Sequence, residues 1–101
     1  MVGGWEYRPH HNYHRRQLFE LGEDGVHLMR EDLVRVKECG EEGKPRYWYV
    51  TDGYNGNLSR QLDSSAVSPK KYTSIESAKE AVDNLLRDNG WPVNLNLKFA
   101  V

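Results

Sequence analysis

Residues 73–101, TSIESAKEAVDNLLRDNGWPVNLNLKFAV, carry two hydrophobic periods in succession, and their order decides the fold. Ala78, Ala81, Val82, Leu85 and Leu86 fall at i, i+3, i+4, i+7 and i+8, a single apolar stripe along a helix. Thr73 and Glu76 have capping-box spacing, and Ser74 is an equally good N-cap, because either hydroxyl can satisfy an open amide at the helix start. Asn89-Gly90 closes the helix, since glycine adopts the left-handed C′ conformation without a Cβ clash. The spacing therefore predicts a helix over about 74–89. Its outer face carries Lys79, Asp83 and Arg87 at i,i+4, read as a solvated charged surface.

After Pro92 the period falls to 2. Val93, Leu95, Leu97, Phe99 and Val101 alternate with Asn94, Asn96, Lys98 and Ala100, the pattern of a half-buried strand over about 93–101. Five apolar residues in register imply that this strand is paired and covered on one side. An edge left there could pair with a second copy, so a homodimer through the C-terminal strand is one expectation.

Upstream, the chain alternates between strand formers and turn residues. Trp5 and Tyr7 alternate with Glu6 and Arg8, and Pro9 ends that run. Gln17 to Met29 reads as a hairpin about Gly22-Glu-Asp-Gly25. Leu33–Glu38 and Arg46–Thr51 read as a second antiparallel pair, joined by the loop 39–45. Val26, Met29, Leu33 and Val36 also fit a helix ending near Gly40, although the β-branched Val34 and Val36 favour strand. The turn dipeptides Asp52-Gly53 and Asn55-Gly56 lead to a shorter strand around Leu58–Leu62, and 63–71 reads as a surface loop. The sum is a single α+β domain spanning 1–101. It has an antiparallel sheet of five or six short strands, one helix packed on one face, and a C-terminal strand.

Composition narrows the functional classes. The chain has 101 residues with 14 basic and 15 acidic side chains, so no global field draws in polyanions. Cys39 is the single cysteine, which excludes an internal disulfide or a cysteine-pair zinc site and suits a reducing cytoplasm. Met1–Trp5 leads straight into polar sequence, so no signal peptide is expected, and no apolar run approaches the ~20 residues that span a membrane. There is no Gly-rich phosphate loop, nucleophile elbow or carboxylate metal motif, so no enzyme activity and no cofactor are expected.

Three groupings of residues could bear function. His10 and His14 are spaced for two metal ligands or acid–base groups, yet no third ligand is at hand; the plain reading is a polar loop or solvated strand. Arg8, Arg15 and Arg16, interleaved with Tyr7 and Tyr13 and joined by Lys70 and Lys71, form the basic-aromatic composition of a nucleic-acid surface. Tyr47-Trp48-Tyr49 should split by alternation. Trp48 faces the core with Val50, while Tyr47 and Tyr49 face the other way, available to a partner. Glu38, Glu41 and Glu42 could form an acidic edge against a basic partner.

At Tyr47–Val50 and at the helix start Tyr72–Ala81, the chain resembles small sheet-plus-helix proteins of phages and mobile elements, anti-CRISPR inhibitors among them. That resemblance implies binding a host protein, one able to belong to a nucleic-acid-binding complex, and blocking it without catalysis in the host cytoplasm. The expected protein-binding residues are Tyr13, Glu38, Glu41, Glu42, Tyr47, Tyr49 and Tyr54. The alternative is a nucleic-acid or nucleotide binder using Arg8, Arg15, Arg16, Lys70 and Lys71.

Overall fold

The computed structural model describes residues 2–26, 28–52, 58–62, 68–91 and 93. Among these, strands β1 (Glu6–Arg8), β2 (Tyr13–Leu21), β3 (Leu28–Cys39) and β4 (Tyr47–Asp52) form one antiparallel sheet in the order β1-β2-β3-β4. They are followed by a short helix α1 (Leu58–Gln61) and a longer helix α2 (Ile75–Asp88). The fold is α+β with an antiparallel sheet, as the patterning implies; the sheet is an open meander with four strands among the described residues, where five or six are expected. Residues 94–101, on which the C-terminal strand and its homodimer edge were expected, lie outside the described residues. Val93, at the start of that stretch, is buried in the core. Among the described residues no helix is long and apolar enough to cross a membrane.

Two differences from the sequence reading have clear causes. The expected hairpin return at 26–29 and the strand at 33–38 are one continuous strand, β3. Arg30-Glu31-Asp32 looks like loop charge, yet these residues pair across to β2, and a register shift at Arg16/Gln17 breaks the alternation there. Leu33 and Val34 are consequently both buried, although neighbours in an undisturbed strand face opposite ways. The helical alternative for 26–38 is excluded by the same pairing. The strand expected around Leu58–Leu62 is instead the single turn α1. Leu58 and Leu62 are four apart, a spacing that satisfies period 2 and period 3.6 alike, and both pack on the core.

The ends of α2 follow their sequence signals. Ser74, not Thr73, is the N-cap, with extended φ/ψ of −146° and 156°, and its hydroxyl accepts the Ser77 amide at 3.1 Å. At the other end Gly90 has φ 83°, the Gly90 amide donates to Arg87 O at 2.9 Å, and the Trp91 amide donates to Leu86 O at 2.8 Å. That pair of bonds is a Schellman closure, and it needs the residue without a Cβ at Gly90.

Ala78, Val82 and Leu86 of α2 meet Leu33, Val34 and Val36 of β3, Val50 of β4 and Leu18 of β2 in one core. Val2, fully buried, bridges to Leu18 and extends this cluster beyond β1. Segment 68–74 closes the other side, where Tyr72 and Trp48 exchange backbone hydrogen bonds of 2.8 and 2.9 Å.

Candidate functional site

Residues directly opposed in an antiparallel sheet share a face, so the register sorts the side chains. Tyr7, His14, Val36 and Val50 form one row on the face that α2 packs against, with Tyr7 at its exposed end; Glu38 and Trp48 form the next. On the opposite face lie the rows Glu6–Arg15–Arg35–Thr51, Arg8–Tyr13–Lys37–Tyr49 and Cys39–Tyr47. Both helices place their buried side chains in the core on the first face. The tyrosine split expected from alternation therefore holds: Trp48 packs on the core, and Tyr47 and Tyr49 stand on the other side with ring centroids 6.1 Å apart.

This second face is not uniform. At one end Asp32 gathers Arg35 at 2.7 Å, Arg15 at 3.3 Å and Gln17 at 3.2 Å. Arg15 also reaches Glu6 at 3.4 Å. Gln17 and the Asp32 side chain are nearly buried, at 8% and 9% exposure, so this end is a closed polar network rather than a docking surface. At the other end Arg8 is exposed, and Tyr13, Lys37, Tyr47 and Tyr49 are half-buried. The Arg35 guanidinium carbon lies over the Tyr13 ring, 5.4 Å from its centroid, and the Lys71 ammonium lies 4.7 Å from that of Tyr47. Arg8, Lys37 and Lys71 have no carboxylate partner among the described residues. The result is a cationic, tyrosine-bearing half-face on a chain of net charge −1.

Beside it lies the 40–46 loop. Gly43, with φ 79°, occupies the third position of a turn closed by the Lys44 amide to Glu41 O at 3.1 Å. A cleft of about 560 Å³ there is bordered by Glu38, Cys39, Glu41 and Glu42 against Lys44 and Arg46. Glu38 pairs with Arg46, and Glu41 with Lys44 at 2.8 Å. The Tyr47 hydroxyl is pushed above its ordinary pKa, first by its hydrogen bond with Cys39, then by burial and the neighbouring Tyr49 and Glu41.

The residues singled out from sequence thus separate. Tyr13, Tyr47 and Tyr49 come together with Arg8 and Lys71 at one end of the face. Arg15 belongs to the closed network at the other end. Lys70 stands over the Tyr72 ring at 5.7 Å. Arg16 faces inward, 5% exposed, donating to Asp83 at 2.9 Å and to Gly3 O at 2.8 Å, so it takes no part in a surface. Asp83, read as part of the solvated outer face of the helix, is the carboxylate that holds it. Glu38 lies on the core face of β3 and reaches the loop only through Arg46. Tyr54 lies outside the described residues. His10 and His11 sit in the exposed β1–β2 turn, whereas the half-buried His14 ring lies 4.6 Å from the Tyr7 ring, tilted 37° to it. The His14 pKa is lowered, chiefly by burial and then by Lys79, with Glu38 and Glu76 opposing. Among the described residues no three His, Cys, Asp or Glu side chains converge to hold a metal ion.

Sequence reasoning missed Lys37 and Arg35. Their signal was present as alternation with Val34 and Val36, which places both on the face away from the helix. Compared with protein families, with curated proteins and with solved structures, the chain matches none.

Proposed function

We propose that this protein is a non-catalytic binding module that takes a single-stranded nucleic acid across the exposed end of its helix-free sheet face. One observation carries the reading: the row Arg8–Tyr13–Lys37–Tyr49, with Tyr47 and Lys71 beside it, combines rings with cations that lack carboxylate partners among the described residues. Bases stack on rings and phosphates follow cations, a pairing tolerant of sequence. With three to four cations engaged, the logarithm of affinity should fall with the logarithm of salt at a slope of roughly −2 to −3. Raising salt from about 50 to about 200 mM then weakens binding about 15- to 60-fold. Anisotropy of a labelled single strand tests this. Tyr49→Ala should cost about 1–3 kcal/mol of stacking, and Lys37→Glu should flatten the salt slope. Absence of binding at low salt, or binding indifferent to both salt and these substitutions, refutes the reading.

A second reading rests on Glu41 and Glu42 of the 40–46 loop, standing next to Tyr47. In it, Tyr47 and Tyr49 anchor on a host protein while Glu41 and Glu42 meet its basic surface, blocking that protein in the cytoplasm as the phage-type inhibitors do. Capture of one host protein from nuclease-treated lysate, abolished by Tyr49→Ala and by Glu41→Lys, favours this reading. Loss of capture on nuclease treatment returns the case to nucleic acid.

A further inference from the structure

A second, smaller pocket of about 350 Å³ lies where the 40–46 loop and segment 71–73 meet the start of β4. Lys44, Arg46 and Lys71 line it against the single carboxylate of Glu41, with Tyr47 beside them. Two of the three cations already have partners, Lys44 on Glu41 and Arg46 on Glu38. Lys71 does not among the described residues; its ammonium faces the Tyr47 ring. Segment 71–73 is held by the two Trp48–Tyr72 backbone bonds, so this side of the pocket is built before any ligand arrives.

The chemistry asked for is an anion attached to a flat ring. A phosphate monoester answers better than a diester, because its second charge and third free oxygen let it share Lys44 and Arg46 with their carboxylates while engaging Lys71, whereas the one charge of a diester is met by Lys71 alone. The volume falls within the range of small-ligand sites, roughly 300–1,000 Å³. Tyr47 belongs both to this pocket and to the sheet face, so a strand lying along the face runs towards it. We infer that the pocket receives the terminal, monophosphorylated nucleotide of a bound strand. This deepens the proposed function and rests on it for the strand, though not for the nucleotide itself.

The test uses the full chain with two kinds of probe. By calorimetry, adenosine monophosphate is expected to bind and adenosine is not. By anisotropy, a single strand phosphorylated at its 5′ end, at its 3′ end, or at neither is compared, and one phosphorylated end should bind about tenfold tighter than the bare strand. The preferred arm identifies which end is read. Lys71→Glu, at an exposed position, should remove both monophosphate binding and the tenfold advantage, with an unchanged thermal melt. Tyr47→Leu should weaken both while leaving the charge in place.

If the bare strand binds and neither phosphorylated end gains, the pocket inference fails alone. Should adenosine monophosphate bind while no strand does, the sheet-face reading fails and the pocket stands as a nucleotide site. Phenyl phosphate outcompeting adenosine monophosphate overturns the nucleotide assignment in favour of a phosphorylated peptide.

Discussion

Removing Asp83 should cost more stability than any other single change on α2 outside the core. Its carboxylate accepts Arg16 Nε at 2.9 Å and Trp5 Nε1 at 3.1 Å, tying the N-terminal segment and β2 to the helix. Arg16 is buried, and the alternative partners left to it are Gly3 O at 2.8 Å and the Trp5 ring at 5.2 Å. Stripping one partner from a buried ion pair costs about 3–5 kcal/mol. The Asp83 side chain is 20% exposed, so water can reach the vacated site and the lower part of that range applies. Alanine also returns roughly 0.5 kcal/mol of helix propensity. Asp83→Ala is therefore expected to destabilise by about 2–3 kcal/mol, a large share of the roughly 5–15 kcal/mol that holds a domain of this size. Urea unfolding followed by tryptophan fluorescence should show the midpoint falling by about 1–2 M at unchanged slope. Pairing Arg16→Met with Asp83→Leu should recover most of the loss, because no charge is then left buried. A cost below about 0.5 kcal/mol for Asp83→Ala, or a double variant as unstable as the single, would refute the reasoning.

Other expectations follow from single contacts. A Cβ on Gly3 would lie 2.5 Å from Cε2 of Phe19, whose side chain is itself buried, so Gly3→Ala should cost about 1–3 kcal/mol by calorimetry; an unchanged melting temperature contradicts that packing. Ser74→Ala should cost about 1 kcal/mol through loss of the cap to Ser77, with Ser74→Asn nearly neutral in the same denaturation assay. His14 has a folded pKa below its ordinary 6.5, so the unfolded chain binds the proton more readily. Stability should thus be full above 6.5 and decline as pH falls from there through the lowered pKa; His14→Gln should show a shallower decline in urea midpoints across that window.

The helix was legible because its signals are local: the stripe, Ser74 and Asn89-Gly90 lie within one short segment. The sorting of Tyr47 and Tyr49 away from Trp48 was legible for the same reason, since alternation needs only neighbours. What the sequence hid depends on distant partners. Arg30-Glu31-Asp32 reads as loop until Arg15 and Gln17 are seen to close on Asp32. Arg16 and Asp83 each look like surface charge, and only the approach of β2 to α2 makes them a buried pair. Val2 gives no periodic signal at all, and its burial is set by the bridge to Leu18. Among the candidate site residues, Arg8 and Tyr13 could be guessed from composition. Lys37 could be sorted by its alternation with Val36, but its row with Arg8, Tyr13 and Tyr49 required the register of all four strands.

The Trp48–Tyr72 bridge has a consequence for how the molecule behaves in a crowd. A meander ends in a strand whose outward amides and carbonyls invite a neighbouring molecule to add on, the first step towards fibrils. Here the chain occupies that docking position at Trp48 with its own residue 72. A substitution such as Tyr72→Pro, which deletes the donor, should be read out first as self-association on concentration, ahead of any loss of melting temperature.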